Sequence, residues 1–162
     1  MTPDLFPATA VPRLGRRHNI AVGTCSWIDP SLIKAGTFYP RGCSSAQARL
    51  RHYASVFPVV EVDSSYYAMP SARNSALWVE RTPAEFRFNV KAFRLLTGHQ
   101  TAPASFPPDL QAELPPLRGG RKNHYYAEVP EAVRQELWRR FIEAIAPLRD
   151  AGKLTAVHFQ FA

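Results

Sequence analysis

The stretch Val59-Val-Glu-Val-Asp-Ser-Ser-Tyr-Tyr67 decides how this chain is read. Four residues of strand-forming, alternating character run straight into hydroxyls and aromatics. In an extended strand successive side chains point to opposite faces. Val60 and Val62 therefore share one face, and Glu61 and Asp63 share the other. At a rise of about 3.3 Å per residue, the two carboxylates stand roughly 7 Å apart. A register slip of one residue would turn both carboxylates to the valine side. Taken alone, the acidic face has a plain reading as an edge strand facing water. The segments on either side argue for more.

Ile20-Ala-Val-Gly-Thr-Cys25, ending in Ser26-Trp27, reads as a strand before it. Asp29-Pro30 and residues 36–42 read as turns. A helix is predicted to start at Ser44 or Ser45 as cap, with Ala46, Leu50, Tyr53, Ala54 and Phe57 on one stripe. Arg49, Arg51 and His52 fall off that stripe and are expected on solvated surface. After Pro70 a short helix over residues 71–81 is expected, stopped by Pro83. Phe86-Arg-Phe-Asn-Val-Lys91 is a third strand, with Phe86, Phe88 and Val90 set against Arg87, Asn89 and Lys91. A proline-rich stretch over residues 94–129 leaves room for short helical pieces. Pro130 then opens a helix whose stripe is Val133, Leu137, Phe141, Ala144, Ile145 and Leu148, with Gly152 as its stop. Leu154-Thr-Ala-Val-His-Phe-Gln-Phe161 is a fourth strand.

Strands alternating with helices are the pattern of parallel βαβ units, so the fold class is α/β with a parallel sheet. Parallel sheets are normally covered on both faces. Polar stripes on three strands (Glu61 and Asp63; Arg87, Asn89 and Lys91; His158 and Gln160) then imply an open sheet or an interior that has to be polar. A barrel with its site at the C-terminal ends of the strands meets the second condition.

The 162 residues suffice for one domain with a sizeable core, and 46% hydrophobic with 20% charged residues is ordinary for a globular chain. No apolar run approaches a membrane span. The net charge of +7 suits an anionic ligand, phosphate or nucleic acid, but the basic residues are scattered and form no block. Cys25 and Cys43 show no pairing pattern, so a reducing cytoplasm is the expectation. Residues 1–18, with three prolines and Arg16-Arg17 but no following apolar segment, are expected to be a loose, untargeted leader.

Val22-Gly-Thr-Cys-Ser-Trp27, Phe38-Tyr-Pro40, Tyr53-Ala54 with Phe57, Val60-Glu-Val-Asp-Ser-Ser-Tyr-Tyr67, Phe88-Asn-Val-Lys91 with Thr97 and His99, and Ala156-Val-His-Phe-Gln-Phe161 together resemble the YecE-like family, domain of unknown function 72. The resemblance runs from about Ile20 to the last residue. It implies a TIM-type (β/α) barrel and a site at the strand ends, but no reaction. Members have well over two hundred residues and eight strands. The expectation is therefore a half barrel, truncated after about four strands, with residues 19–162 as the N-terminal half of the domain. Cys25 stands where members often have serine.

The candidate catalytic residues are Glu61, Asp63 and Lys91. Ser26, Trp27, Tyr66, Tyr67, Asn89, His99, His158 and Gln160 are candidate ligand-binding residues. Glu61 and Asp63 suit general acid–base work, or a divalent metal held with His158, although no close His spacing supports a metal. Glu61 also has a structural reading, an ion pair with Arg87. Lys91 suits an anion better than a role as amine nucleophile. Trp27, Tyr66 and Tyr67 are placed to stack on a sugar or base. Cys25 lacks a nucleophile elbow, and the basic loop around Gly119-Gly120 lacks phosphate-loop geometry. Two functions follow: an enzyme-type site for a small anionic or sugar-like ligand, and a nucleic-acid-binding surface. Glu61 and Asp63 favour the first, since they would repel a phosphate backbone. An inactive fragment is the third reading, and self-association through uncovered half-barrel edges is expected of it. No cofactor is identified.

Overall fold

The computed structural model describes residues 13–17 and 19–162. Of the expected leader, only residues 13–17 lie within that range; there Leu14 makes a single antiparallel bridge with Ile20. The helices are α1 (Pro30–Lys34), α2 (Ala46–Val56), α3 (Ser64–Tyr67), α4 (Ala72–Glu80), α5 (Pro108–Gln111) and α6 (Glu131–Asp150). The strands are β1 (Val59–Val62), β2 (Arg87–Lys91) and β3 (Leu154–His158). They form one parallel three-stranded sheet in the order β1-β2-β3.

Local chemistry accounts for most of these boundaries. Ser45 caps α2 by accepting from the Ala48 amide, and Ser71 caps α4 by accepting from the Asn74 amide. Pro130 stands at the entrance of α6, where a missing N–H costs nothing. The expected α6 stripe is buried throughout (Val133, Leu137, Phe141, Ala144, Ile145 and Leu148). On α2, Leu50, Tyr53 and Ala54 are buried, with Phe57 half-buried and Ala46, in the first turn, exposed. On the sheet, Val60, Val62, Phe88 and Val90 are fully covered and belong to the same core. The proline-rich stretch is organised by turns of 3-10 helix at Arg94–Thr97, Pro103–Ser105 and Tyr126–Glu128, and Phe93, Leu95, Phe106 and Leu110 anchor it in the core.

Several expectations are corrected. Asp29-Pro30 is a helix start rather than a turn, because the Asp29 carboxylate accepts from the Ser31 amide at 2.7 Å and Pro30 fits the first turn of α1. Arg49, Arg51 and His52 are half-buried, not solvated. His52 Nε2 lies 2.8 Å from the Phe38 carbonyl, and its ring packs on Phe38 and Tyr39. The first of the four expected strands is reduced to one parallel bridge, Cys25 to Glu61. Its hydrogen bonds run from the Ser26 amide to the Glu61 carbonyl and from the Glu61 amide to the Thr24 carbonyl. Upstream, a Cβ on Gly23 would stand 2.0 Å from the Val59 carbonyl oxygen, so only glycine allows this approach. The buried Tyr53 hydroxyl completes the attachment, taking the Thr24 amide at 2.7 Å and reaching the Val59 carbonyl at 3.2 Å. The last strand stops at His158, which leaves Gln160 beyond it and exposed.

β3 carries one irregularity with consequences for the site. Leu154 pairs with Phe88 and Ala156 with Asn89, so Thr155 is an extra residue on β3. The bulge reverses the alternation. Leu154 and Val157 both pack on the core, while His158 falls opposite Lys91.

Lys153 ends the turn into β3 with its side chain buried. Its ammonium donates to the Val79 carbonyl (2.8 Å), the Thr82 carbonyl (2.7 Å) and the Thr82 hydroxyl (2.9 Å), closing the C-terminal end of α4 without any carboxylate. Burial, reinforced by the charge of Arg87, pushes its pKa down to about 8.

Two predictions follow from these contacts. Gly23→Ala is expected to cost about 1–3 kcal/mol through overpacking against backbone and to speed hydrogen exchange at the Ser26 and Glu61 amides; unchanged exchange would show that the approach tolerates a side chain. Lys153→Met leaves buried acceptors unmet and is expected to cost about 1–3 kcal/mol at neutral pH. Between about pH 8 and the ordinary lysine value of 10.5, the unfolded chain binds a proton that the folded chain lacks. The contribution of Lys153 to stability therefore rises with pH across that window, and denaturant unfolding of the wild type against Lys153→Met should show the difference widening.

Candidate functional site

The polar face of the sheet is set by register. Glu61 pairs with Asn89, Asn89 with Ala156, and Lys91 with His158. Strand alternation puts these residues opposite the valines and phenylalanines of the core. Two pairs form across this face. Lys91 Nζ donates to Asp63 Oδ1 at 2.9 Å, and His158 Nδ1 lies 2.9 Å from Glu61 Oε2. Asp63 occupies the cap position of α3 yet makes no capping bond; its carboxylate is committed to Lys91 instead. Ser65, buried behind it, lies 2.7 Å from the Val62 carbonyl and 2.6 Å from the Lys91 carbonyl, and so ties α3 to the ends of both strands.

The hydrogen bond and charge of Asp63 raise the Lys91 pKa against the opposing effect of desolvation, and Glu61 adds to the rise. Lys91 is thus a held cation, which disfavours the amine-nucleophile role. Cys25 adjoins the same carboxylates. Partial desolvation, then the charge and hydrogen bond of Glu61, then Asp63 push its thiol pKa up, while Lys91 pulls it down. Because the residue is open to solvent, the two carboxylates are the firmer part of that effect. The group is a thiol at neutral pH, the less reactive form of cysteine.

Aromatics and further cations rim the face. The Tyr66 ring has Lys91 Nζ 5.1 Å and the Arg94 guanidinium carbon 5.2 Å from its centroid. Tyr67 and His99 meet it edge-on at 5.0 and 5.4 Å. Thr97 donates its hydroxyl to the Arg94 carbonyl and lies 3.0 Å from His99 Nδ1. Gly98, at φ 83°, supplies the left-handed turn that brings His99 back toward Tyr66.

Of the sequence-derived candidates, Glu61, Asp63, Asn89, Lys91 and His158 are brought together on one face, with Tyr66, Tyr67 and His99 at its edge. Ser26 adjoins Glu61 through its backbone and holds φ 89°, a strained value for a side-chain-bearing residue. Its hydroxyl accepts from the Ile28 amide at 3.1 Å. Three assignments are corrected. Trp27 is a core residue, 8% exposed and edge-on to Trp78, because Ser26 turns the chain inward. Gln160 lies past the strand. The Glu61–Arg87 pair does not form, since the parallel register puts Arg87 opposite Val59 and its guanidinium donates to the Ala84 and Phe86 carbonyls. Among the described residues, no three His, Cys, Asp or Glu side chains are grouped to hold a metal ion. Arg94 was missed by the sequence reading; the available signal was an arginine isolated among Phe93, Leu95 and Leu96 just after a strand end. A cavity of ≈ 480 Å³ lies elsewhere, lined by Met69, Pro70, Phe106, Pro107 and Arg140 among others, and by none of these residues.

Residues 21–162 match the family described as Protein of unknown function DUF72. The chain is 34% identical over 142 residues to UPF0759 protein YunF of Bacillus subtilis (strain 168), covering 88% of this chain and 39% of that protein. Two crystal structures of a DUF72 family protein from Enterococcus faecalis align with TM-scores of 0.52 and 0.55 at 27% identity, again over 88% of this chain and 39% of theirs. The chain thus spans about two fifths of the length of these relatives. No helix among the described residues is long and apolar enough to cross a membrane.

Asp63→Asn removes the main cause of the raised Lys91 pKa. The expected outcome is a fall toward or below the ordinary lysine value, read by NMR titration of the Lys91 Cε–Hε signal. An unmoved titration would show that the pair contributes nothing to the charge of Lys91.

Proposed function

From the premise that this chain belongs to the DUF72 family of proteins of unknown function, we propose that its polar sheet face is an enzyme-type site for a small anionic or sugar-like ligand. In this reading the parallel strands are part of a TIM-type barrel, with the site at their C-terminal ends. The observation that carries the proposal is the pairing of Asp63 with Lys91 and of Glu61 with His158, each at 2.9 Å, on one face of one sheet.

The two pairs divide the work. Lys91, kept protonated by Asp63, is a fixed cation for an oxygen that gains negative charge during reaction. Glu61 accepts the Nδ1–H of His158, which leaves Nε2 of the neutral ring as the proton acceptor. Tyr67, exposed at the rim, offers a face to a sugar ring, while the Tyr66 ring is engaged by Lys91 and Arg94. Commitment of Lys91 to Asp63, with Glu61 beside it, disfavours a phosphate backbone as partner.

The test is a thermal-shift screen of small carboxylates, phosphates and sugars, followed by binding measurements on Lys91→Ala. The expected result is a compound that stabilises the wild type and binds at least about tenfold more weakly to the variant, the magnitude of one lost charged hydrogen bond. The melting temperature of the unliganded protein should change little, because the pair is partly open to solvent. If small molecules are silent and single-stranded nucleic acid binds instead, weakening by orders of magnitude between about 50 and 200 mM salt, the nucleic-acid reading replaces this one.

A further inference from the structure

The site contains two cations against one aromatic ring, and only one of them is neutralised. Lys91 is paired with Asp63. Arg94 has no carboxylate partner among the described residues, and its Nε is buried without a hydrogen-bond acceptor. A buried guanidinium N–H left unmet is costly. Arg51 and Arg81 each carry one as well, and what sets Arg94 apart is its place on the ring that Lys91 also approaches.

The position of Arg94 follows from its neighbours. Phe93 and Leu95 are fully buried and Leu96 nearly so, which pins the start of the Arg94–Thr97 turn to the core. The Arg94 carbonyl accepts from the Thr97 hydroxyl and the His99 amide, so the backbone beneath the side chain is fixed as well. The guanidinium rests on the Tyr66 ring, the same ring that Lys91 approaches and that His99 meets edge-on. Nothing in these contacts uses its hydrogen-bonding fork. A planar guanidinium presented this way matches the paired oxygens of a carboxylate or phosphate. Lys91, already committed, is the weaker candidate for that task.

We propose that Arg94, seated on Tyr66, receives the carboxylate or phosphate group of the small ligand bound at this site. The inference rests on the site reading above and assigns its anion preference to Arg94 rather than to Lys91. Lys91 and the Glu61–His158 pair are then left for the part of the ligand that reacts, while Arg94 orients it from the rim.

The experiment uses inorganic phosphate and acetate as probes, titrated at low ionic strength into wild type, Arg94→Gln, Arg94→Lys, Lys91→Ala and Arg118→Gln, with glucose as the neutral probe. The readout is the Arg Nε–Hε NMR signal that both Arg94 variants lose. The expected result is a saturable shift of that signal with phosphate or acetate and binding weakened about tenfold or more in Arg94→Gln. Arg94→Lys keeps the charge and the folded protein but loses the fork, so its binding should also be weaker than wild type. Arg118→Gln removes an equal charge from the exposed loop and should bind as wild type does. Absence of a saturable shift, unchanged binding in Arg94→Gln, or an equal loss in Arg118→Gln overturns the proposal. Glucose binding that Lys91→Ala weakens, with no anion effect at Arg94, would leave the site reading standing and remove this inference alone. Anion binding lost through Arg94, with no small molecule whose binding Lys91→Ala weakens, would uphold Arg94 and count against the wider site.

Discussion

The burial of Val60, Val62, Phe88 and Val90 under the helices is the constraint on which the rest of the molecule depends. Because strand side chains alternate, covering these four commits Glu61, Asn89 and Lys91 to the opposite face. A slip of one residue in either strand would bury charge and expose the valines or Phe88, so the register is strongly held. Parallel pairing of β1 with β2 then places Glu61 level with Asn89 and lets Lys91, past the end of β1, reach Asp63. The ion pair is a consequence of hydrophobic burial on the other side of the sheet.

Two lysines show how far local partners decide chemistry within one fold. Lys91 and Lys153 both lose water, yet their pKa values move in opposite directions. Lys91 meets a carboxylate, whose attraction exceeds the cost of desolvation. Lys153 meets only carbonyls and a hydroxyl, which satisfy its hydrogen bonds without offsetting the cost of a buried charge. The first is suited to chemistry at a site. The second is a structural clasp between α4 and the turn before β3.

The matched family region, residues 21–162, contains the Lys91–Asp63 and His158–Glu61 contacts and the aromatic rim. The relatives are more than twice as long, and the chain spans 39% of each. The strained Ser26, the buried Nε of Arg94 and the buried, unpaired Oδ1 of Asn89 all belong to the polar face or its rim. Polar groups left in such states are costly, and they are not confined to this face, since Arg51 Nε, Ser75 Oγ and Arg81 Nε are buried without a partner elsewhere.

What the sequence determined by itself was whatever depends on neighbours along the chain. The stripes of α2 and α6, the caps Ser45 and Ser71, the entrance at Pro130 and the alternation in β1 and β2 are local, since helix and strand periods act over a few residues. The same alternation was enough to bring Glu61, Asp63, Asn89 and Lys91 to notice. Tertiary structure decided what depends on distant partners. Glu61 meets His158 instead of Arg87 because register, invisible within a single strand, sets which ends coincide. Thr155 bulges, which lets the partly buried Leu154 pack on the core while His158, further along the strand, stays on the face of Lys91. Trp27 enters the core and Arg94 stays at the rim, because each follows a turn whose direction is set by packing against Trp78 in one case and by the burial of Phe93 and Leu95 in the other. The first expected strand narrows to one bridge because Gly23 must pass against the backbone of Val59, a contact 36 residues away in sequence.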